Sequence, residues 1–175
     1  MAENAIPRNP AVIIIMGVAS SGKTSLGERL AERLGWPFRD ADAFHPPENV
    51  AKMSSGTPLT DEDRKPWLGA IAAWVDELRA SGEHGIVTCS ALKHAYREVI
   101  VGDRPDVALV YLQGSRELIG ARMAERKHHF MPTALLDSQF ATLEEPGSDE
   151  RVLIVPVDGS KDEIERTVLD RLGLG

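Results

Sequence analysis

Eight residues near the start of the chain, GVASSGKT, set Gly17, Val18, Ala19, Ser20, Ser21, Gly22, Lys23 and Thr24 in the order GxxxxGK[ST]. The chemistry this order suits is phosphate binding. Glycines let consecutive backbone N–H groups curl round a phosphate, and a helix that follows adds the partial positive charge of its first turn. Lys23 can reach the outer phosphates of a nucleoside triphosphate, Thr24 can offer its hydroxyl to Mg²⁺, and Ser25 continues the cradle into the helix. A second polar stretch, DADAFHPPENVAKM over residues 40–53, places Asp40 and Asp42 one residue apart and His45 just beyond them. Phosphoryl transfer to an alcohol needs a carboxylate near the hydroxyl, a metal to neutralise charge, and cations on the moving group. Asp42 is the candidate for orienting or deprotonating an acceptor hydroxyl. Asp40 is a candidate metal-water or outer ligand, with capping of backbone amides as the plainer alternative. His45, beside Pro46 and Pro47, reads equally as a substrate contact or as a loop-shaping residue.

These residues need a scaffold. Five short apolar runs, VIIIM (12–16), WPFRD (36–40), GIVTCS (85–90), VALVYL (107–112) and VLIVPV (152–157), alternate with helical patterns. Continuous apolar runs suit strands covered on both faces, and strand–helix alternation implies a parallel α/β sheet wrapped on both sides. The first helix carries Leu26, Leu30 and Leu34 at four-residue spacing, with Gly35 as its stop. Another, after an acidic first turn over residues 60–63, aligns Trp67, Leu68, Ile71, Trp74, Val75 and Leu78 in one stripe. Ser115 can cap a helix running through Ile119 and Met123, and Ser160 with Glu163 forms a capping box before the last helix. Ligands of such sheets gather beyond the carboxyl ends of the strands. Asp40 and Asp42 follow the second strand and residues 90–93 follow the third, so both should face the phosphate loop.

Composition narrows the function. A chain of 175 residues with 42% hydrophobic and 27% charged residues supports one folded domain, taken as residues 1–175. A net charge of -7 argues against a general nucleic-acid or membrane surface, so an anionic ligand needs locally gathered cations. Three groups supply them: Arg64 with Lys65, Lys93 with Arg97, and Arg122 with Arg126 and Lys127. Cys89 is the only cysteine, which excludes an internal disulfide and makes the cytoplasm the default compartment. The apolar run at residues 11–19 is far short of the ~20 residues of a membrane span. His128 and His129 are adjacent and diverge on any regular element, while His84 and His94 read as surface residues.

A nucleotide-dependent switch is disfavoured, because NKxD is absent and DxxG occurs only as DRLG at the end of the last helix. The ordered set MGVASSGKT, DADAFHPPENVAKMSSGTPLTDEDRKPWL, CSALKHAYRE, VYLQG, RMAERKHHFM and SQFATLEEP closely resembles the small gluconate kinases and covers nearly the whole chain. HPPENVAKMSSGTPLTDEDRKPWL is the most specific part, since related shikimate and nucleotide kinases lack it. Ala41 departs from the Gly often found between the two acids. The resemblance implies a three-layer P-loop kinase sandwich with five parallel strands in the order 2-3-1-4-5 and a lid. It implies phosphorylation of D-gluconate with ATP and Mg²⁺, a substrate-binding segment over about 42–80, a lid over about 122–146, and a homodimer. Arg126 would touch phosphates as part of the catalytic set with Asp42 and Lys23, and Arg122 would meet the adenine. Arg64, Lys93 or Arg97 would hold the substrate carboxylate, and the residues do not rank them. Another small-molecule kinase of shikimate type is the nearest rival.

Overall fold

The VIIIM run forms strand β1 (Val12–Met16), and every residue in it is fully buried. Side chains alternate along a strand, so Val12, Ile14 and Met16 enter one apolar cluster while Ile13 and Ile15 enter another. A strand buried on both faces must lie inside a sheet, and β1 does: β3 (Gly85–Thr88) pairs on one side and β4 (Val107–Gln113) on the other. Adding β2 (Phe38–Asp40) beside β3 and β5 (Val152–Pro156) beside β4 gives five parallel strands in the order β2-β3-β1-β4-β5. The computed structural model describes residues 6–57, 59–125 and 133–174.

Helices cover both faces. On one, α3 (Asp61–Ser81) packs Trp67, Leu68, Ile71, Val75 and Leu78 against the sheet, joined by Tyr96 and Ile100 of α4 (His94–Ile100). On the other, α1 (Lys23–Leu34) contributes Leu26 and Leu30, α5 (Arg116–Glu125) Ile119 and Met123, and α7 (Lys161–Arg171) Val168 and Leu169. Leu136 of α6 (Thr133–Thr142) is fully buried in this second cluster. The architecture is the three-layer α/β sandwich that the sequence implies, with the 2-3-1-4-5 strand order.

Local signals account for most ends. Thr60 and Asp63 make a reciprocal capping box at the start of α3, and Ser160 with Glu163 does the same for α7. The Ser115 hydroxyl accepts from the Leu118 N–H at 3.1 Å. Three strands are shorter than the apolar runs that mark them, β5 by its last residue, Val157. Trp36 follows the Gly35 cap of α1, donating its N–H to Ala31 O at 3.2 Å, and β2 begins at Phe38. Cys89 and Ser90 lie past the end of β3. The helix α2 (Pro47–Ser54) inside the polar 40–53 stretch was not apparent from periodicity; Pro47 opens it, where the missing N–H costs nothing. Among the described residues, no helix is long and apolar enough to cross a membrane.

Candidate active site

The phosphate loop leaves β1 at Gly17, whose φ of +151° suits glycine; a Cβ there would lie 2.6 Å from Ser21 Oγ and 3.1 Å from Leu112 O. Gly22, at φ +102°, then caps α1 with no side chain of its own. Ser20 lies between them at φ +65°, a left-handed conformation that a residue with a Cβ adopts only under constraint. The hydroxyls of Ser20 and Ser21 are buried with no hydrogen-bond partner among the described residues. Native proteins seldom leave buried polar groups unpaired, so this loop is built for something that supplies acceptors. Lys23 folds back over it, its Nζ donating to Gly17 O at 2.9 Å and Val18 O at 3.0 Å. The Ala19 N–H donates to Gln139 Oε1 at 2.6 Å, across from α6.

The loop separates two cavities. One, of about 490 Å³, is lined by Ser20, Ser21, Gly22, Ser25, Arg29, Arg122 and Ser160 among others. Arg122 is held there by donating to the Val157 carbonyl. The other, of about 380 Å³, brings Ala19, Lys23, Thr24 and Ser25 to the same space as Asp40, Asp42, Trp67, Ser90 and Gln139. The sheet does this: β1, β2 and β3 run parallel and end at this edge, where Asp40 of β2, Thr88 of β3 and the loop that follows β1 line one volume.

Asp40 accepts the Asp42 N–H at 2.9 Å and so caps the short 3₁₀ turn over Ala41–Phe44. The Trp67 indole pins that turn from α3 by donating to Ala41 O at 2.7 Å. Asp42 is open to the cavity yet flanked by protein. Partial loss of water and the neighbouring Asp40 charge raise its pKa, against the pull of His45 and Lys23. A carboxylate so shifted is a stronger base than an ordinary aspartate. Thr24, Asp40 and Asp42 offer hard oxygen donors, a set that fits Mg²⁺ completed by phosphates and water, although no cluster of three acids, histidines or cysteines that could hold a metal occurs among the described residues.

His45 does not line this cavity. It stacks on Trp67 with ring centroids 4.4 Å apart and an interplanar angle of 11°, and its Nδ1 lies 3.2 Å from Asn49 Nδ2. Burial, partly opposed by Asp42, lowers its pKa and keeps the ring neutral. Asn49 is buried and donates to Asp63 O at 2.8 Å, and Lys52 bonds the Asp63 carboxylate at 2.8 and 2.9 Å. Those bonds fasten α2 to the first turn of α3. The Lys52 bond and the Thr60 N–H hold the Asp63 pKa down at about 2.

Arg64 and Lys93 meet around Asp61. Lys93 Nζ is 3.2 Å from Asp61 Oδ1, Tyr96 Oη donates to the same oxygen at 2.6 Å, and Arg64 donates to Tyr96 Oη at 3.3 Å. The Tyr96 and Lys93 bonds lower the Asp61 pKa. Asp61 and Tyr96 are members of this cluster that sequence reasoning missed; Asp61 reads there only as an acid in a helix first turn.

Arg97 must be reassigned. It is 2% exposed, and its guanidinium is consumed by Glu150 at 2.7 and 3.0 Å, Ala91 O at 2.8 Å and Glu144 O at 2.8 Å. A side chain so enclosed holds the 144–150 segment against α4 and is shut off from a substrate by its burial. Arg126 lies outside the described residues, as do Lys127, His128 and His129, so the 122–146 region is described only at 122–125 and 133–146.

The shikimate kinase family model matches residues 19–154. A gluconokinase of Gluconobacter oxydans is 48% identical over 146 residues, covering 83% of this chain and 82% of that protein. The thermoresistant gluconokinase of Escherichia coli is 40% identical, covering 84% of this chain and 85% of its own length. The crystal structure of a gluconokinase from Sinorhizobium meliloti superposes with a TM-score of 0.83 at 46% identity, covering 95% of this chain and 93% of that one. With a family match over most of its length and relatives at these identities, the chain belongs to the gluconokinase family of P-loop kinases.

Proposed function

We propose that the protein transfers the terminal phosphoryl group of ATP to D-gluconate, forming 6-phospho-D-gluconate and ADP. The observation that carries this reading is the single cavity in which Lys23 and Thr24 face Asp42. Asp42 accepts the proton of the acceptor hydroxyl as its oxygen bonds to the γ-phosphorus and the bond from phosphorus to the ADP oxygen breaks. Lys23 and the loop amides of residues 17–24, apart from the Ala19 N–H that Gln139 occupies, stabilise charge on the phosphates. The 490 Å³ cavity takes the nucleoside, with Arg122 on its wall and Ser25 at the loop edge. Mg²⁺, held by Thr24 and, through water, by Asp40, would neutralise phosphate charge. Arg64 and Lys93 are the cations available for the substrate carboxylate, because Arg97 is consumed elsewhere. His45 supports this side as the neutral ring that braces Trp67 and Asn49.

The reading also comprises one domain over residues 1–175, a substrate-binding segment over about 42–80, a lid over about 122–146 that includes Arg126, a cytoplasmic setting and a homodimer. Release of ADP should be measured with D-gluconate, shikimate, other sugar acids and no acceptor, each with Mg²⁺ and with chelator. Stimulation by gluconate alone, lost on chelation, is expected; stimulation by shikimate instead, or turnover indifferent to acceptor, overturns it. Sedimentation equilibrium at the mass of two chains tests the dimer.

A further inference from the structure

Gln139 is half-buried on α6, 120 residues away in sequence from the loop residue it touches. A backbone N–H can only donate, so the Ala19 N–H at 2.6 Å identifies the Gln139 atom facing it as Oε1. The other end of the amide is thereby determined: Nε2 and its two donors turn away from the loop backbone. No hydrogen bond to Nε2 occurs among the described residues, and the side chain lines the cavity that Lys23, Thr24, Asp40 and Asp42 share. A phosphoryl group in transit spreads its charge over three equatorial oxygens. Neutral donors fixed beside that path stabilise it without drawing the substrate into an ion pair.

We propose that Gln139 contacts the transferring phosphoryl group: Ala19 holds its Oε1, and its Nε2 donates to the terminal phosphate of bound ATP. The proposal rests on ATP being the phosphoryl donor, as argued above. The support behind Gln139 suits the role. Leu136, one helical turn earlier, is fully buried and anchors α6. Beyond it, Glu144 ties the chain to the opposite wall: its N–H donates to Leu92 O at 2.7 Å, and its carboxylate accepts the His94 N–H at 2.9 Å. These anchors remain when Gln139 is changed, so its variants should fold.

The test compares two nucleotides without acceptor, which separates it from any failure of the gluconate assignment. Wild type, Gln139→Glu and Gln139→Ala are titrated calorimetrically with ADP and with the β,γ-imido analogue of ATP, both with Mg²⁺. Gln139→Glu keeps an acceptor for the Ala19 N–H and places a negative charge where the donors were. The analogue should bind this variant about 10- to 100-fold more weakly, with ADP changed by less than about twofold. Gln139→Ala should show the same selectivity at about 10-fold. With gluconate as acceptor, kcat should fall by about 10²-fold at unchanged gluconate KM. An unchanged analogue-to-ADP ratio in Gln139→Glu marks a structural latch and overturns the proposal. Tighter binding of both nucleotides to Gln139→Ala marks a plug that phosphate displaces, and overturns it as well. If Gln139→Ala melts early, the isosteric glutamate variant carries the test alone.

Discussion

At the phosphate loop, two buried serine hydroxyls have no partner among the described residues, Ser20 is held at φ +65°, and Lys23 rests on two carbonyls of its own loop. At the acceptor side, Lys93, Arg64 and Tyr96 already surround Asp61, and His45, Trp67 and Asn49 brace one another. Backbone conformation holds the first region open. Paired side chains hold the second closed on itself. In the proposed reading, phosphate entering the loop meets the two serine hydroxyls, whereas a substrate carboxylate reaching Lys93 competes with a resident aspartate. The contrast places broad anion affinity on the donor side and selectivity on the acceptor side, because only a ligand of the right shape can replace Asp61 without leaving a charge unpaired.

The largest expected effect is on the donor side. Lys23→Ala should lower kcat by roughly 10³- to 10⁵-fold, the range for losing a cation on a transferring phosphoryl group. Steady-state ADP release checks it, and an active variant would break the comparison. Asp42→Asn should lower kcat by ~10²- to 10⁴-fold. Its stability should move the other way. Because the folded state raises the Asp42 pKa above its ordinary value of 3.8, the folded protein binds more protons, and stability is lost as pH rises through that window. Asn carries no such charge, so Asp42→Asn should melt at or above the wild-type temperature at neutral pH; clearly earlier melting would contradict the assignment.

The two cations after β3 sharpen the comparison further. Arg97→Met leaves Glu150, itself only 10% exposed, without its guanidinium and with only His94 and the Gly147 N–H beside it, and should cost about 3 kcal/mol in denaturant unfolding. Lys93→Ala should leave unfolding nearly unchanged, since its pair with Asp61 is partly solvated. It should raise the gluconate KM by about 10-fold or more. The reverse pattern would move the carboxylate site to Arg97. The smallest effect is at His94, whose bond to Glu150 at 3.1 Å raises its pKa above 6.5. That stabilisation is fully present below pH 6.5 and lost as pH rises through the raised value. His94→Gln should flatten the fall in melting temperature over that range; an unaltered slope would assign it to another group.

What could be read in advance follows the range of the interaction. The limits of β1, the acidic first turn of α3 and the capping box of α7 depend on residues within four positions, and periodicity or cap chemistry shows them directly. The phosphate loop is legible for the same reason, since its function is carried by consecutive backbone groups. α2 hid because its eight residues are too few and too polar for a strong period. Arg97 was misread because its type and its place after a strand are those of a ligand cation, while its partners Glu144 and Glu150 lie 47 and 53 positions away. Asp61, Tyr96 and Gln139 escaped for the same reason.

By itself, the sequence determined the α/β class, the phosphate loop and the candidacy of Asp42, because strand burial, helix caps and backbone curvature are set by neighbouring residues. Only the tertiary structure decided which cations remain for a substrate, that Asp61 and Tyr96 hold two of them, and that Gln139 reaches the loop from the far side of the chain. Those outcomes depend on charges and donors meeting across elements, where one hydrogen bond decides whether a side chain is available or already engaged.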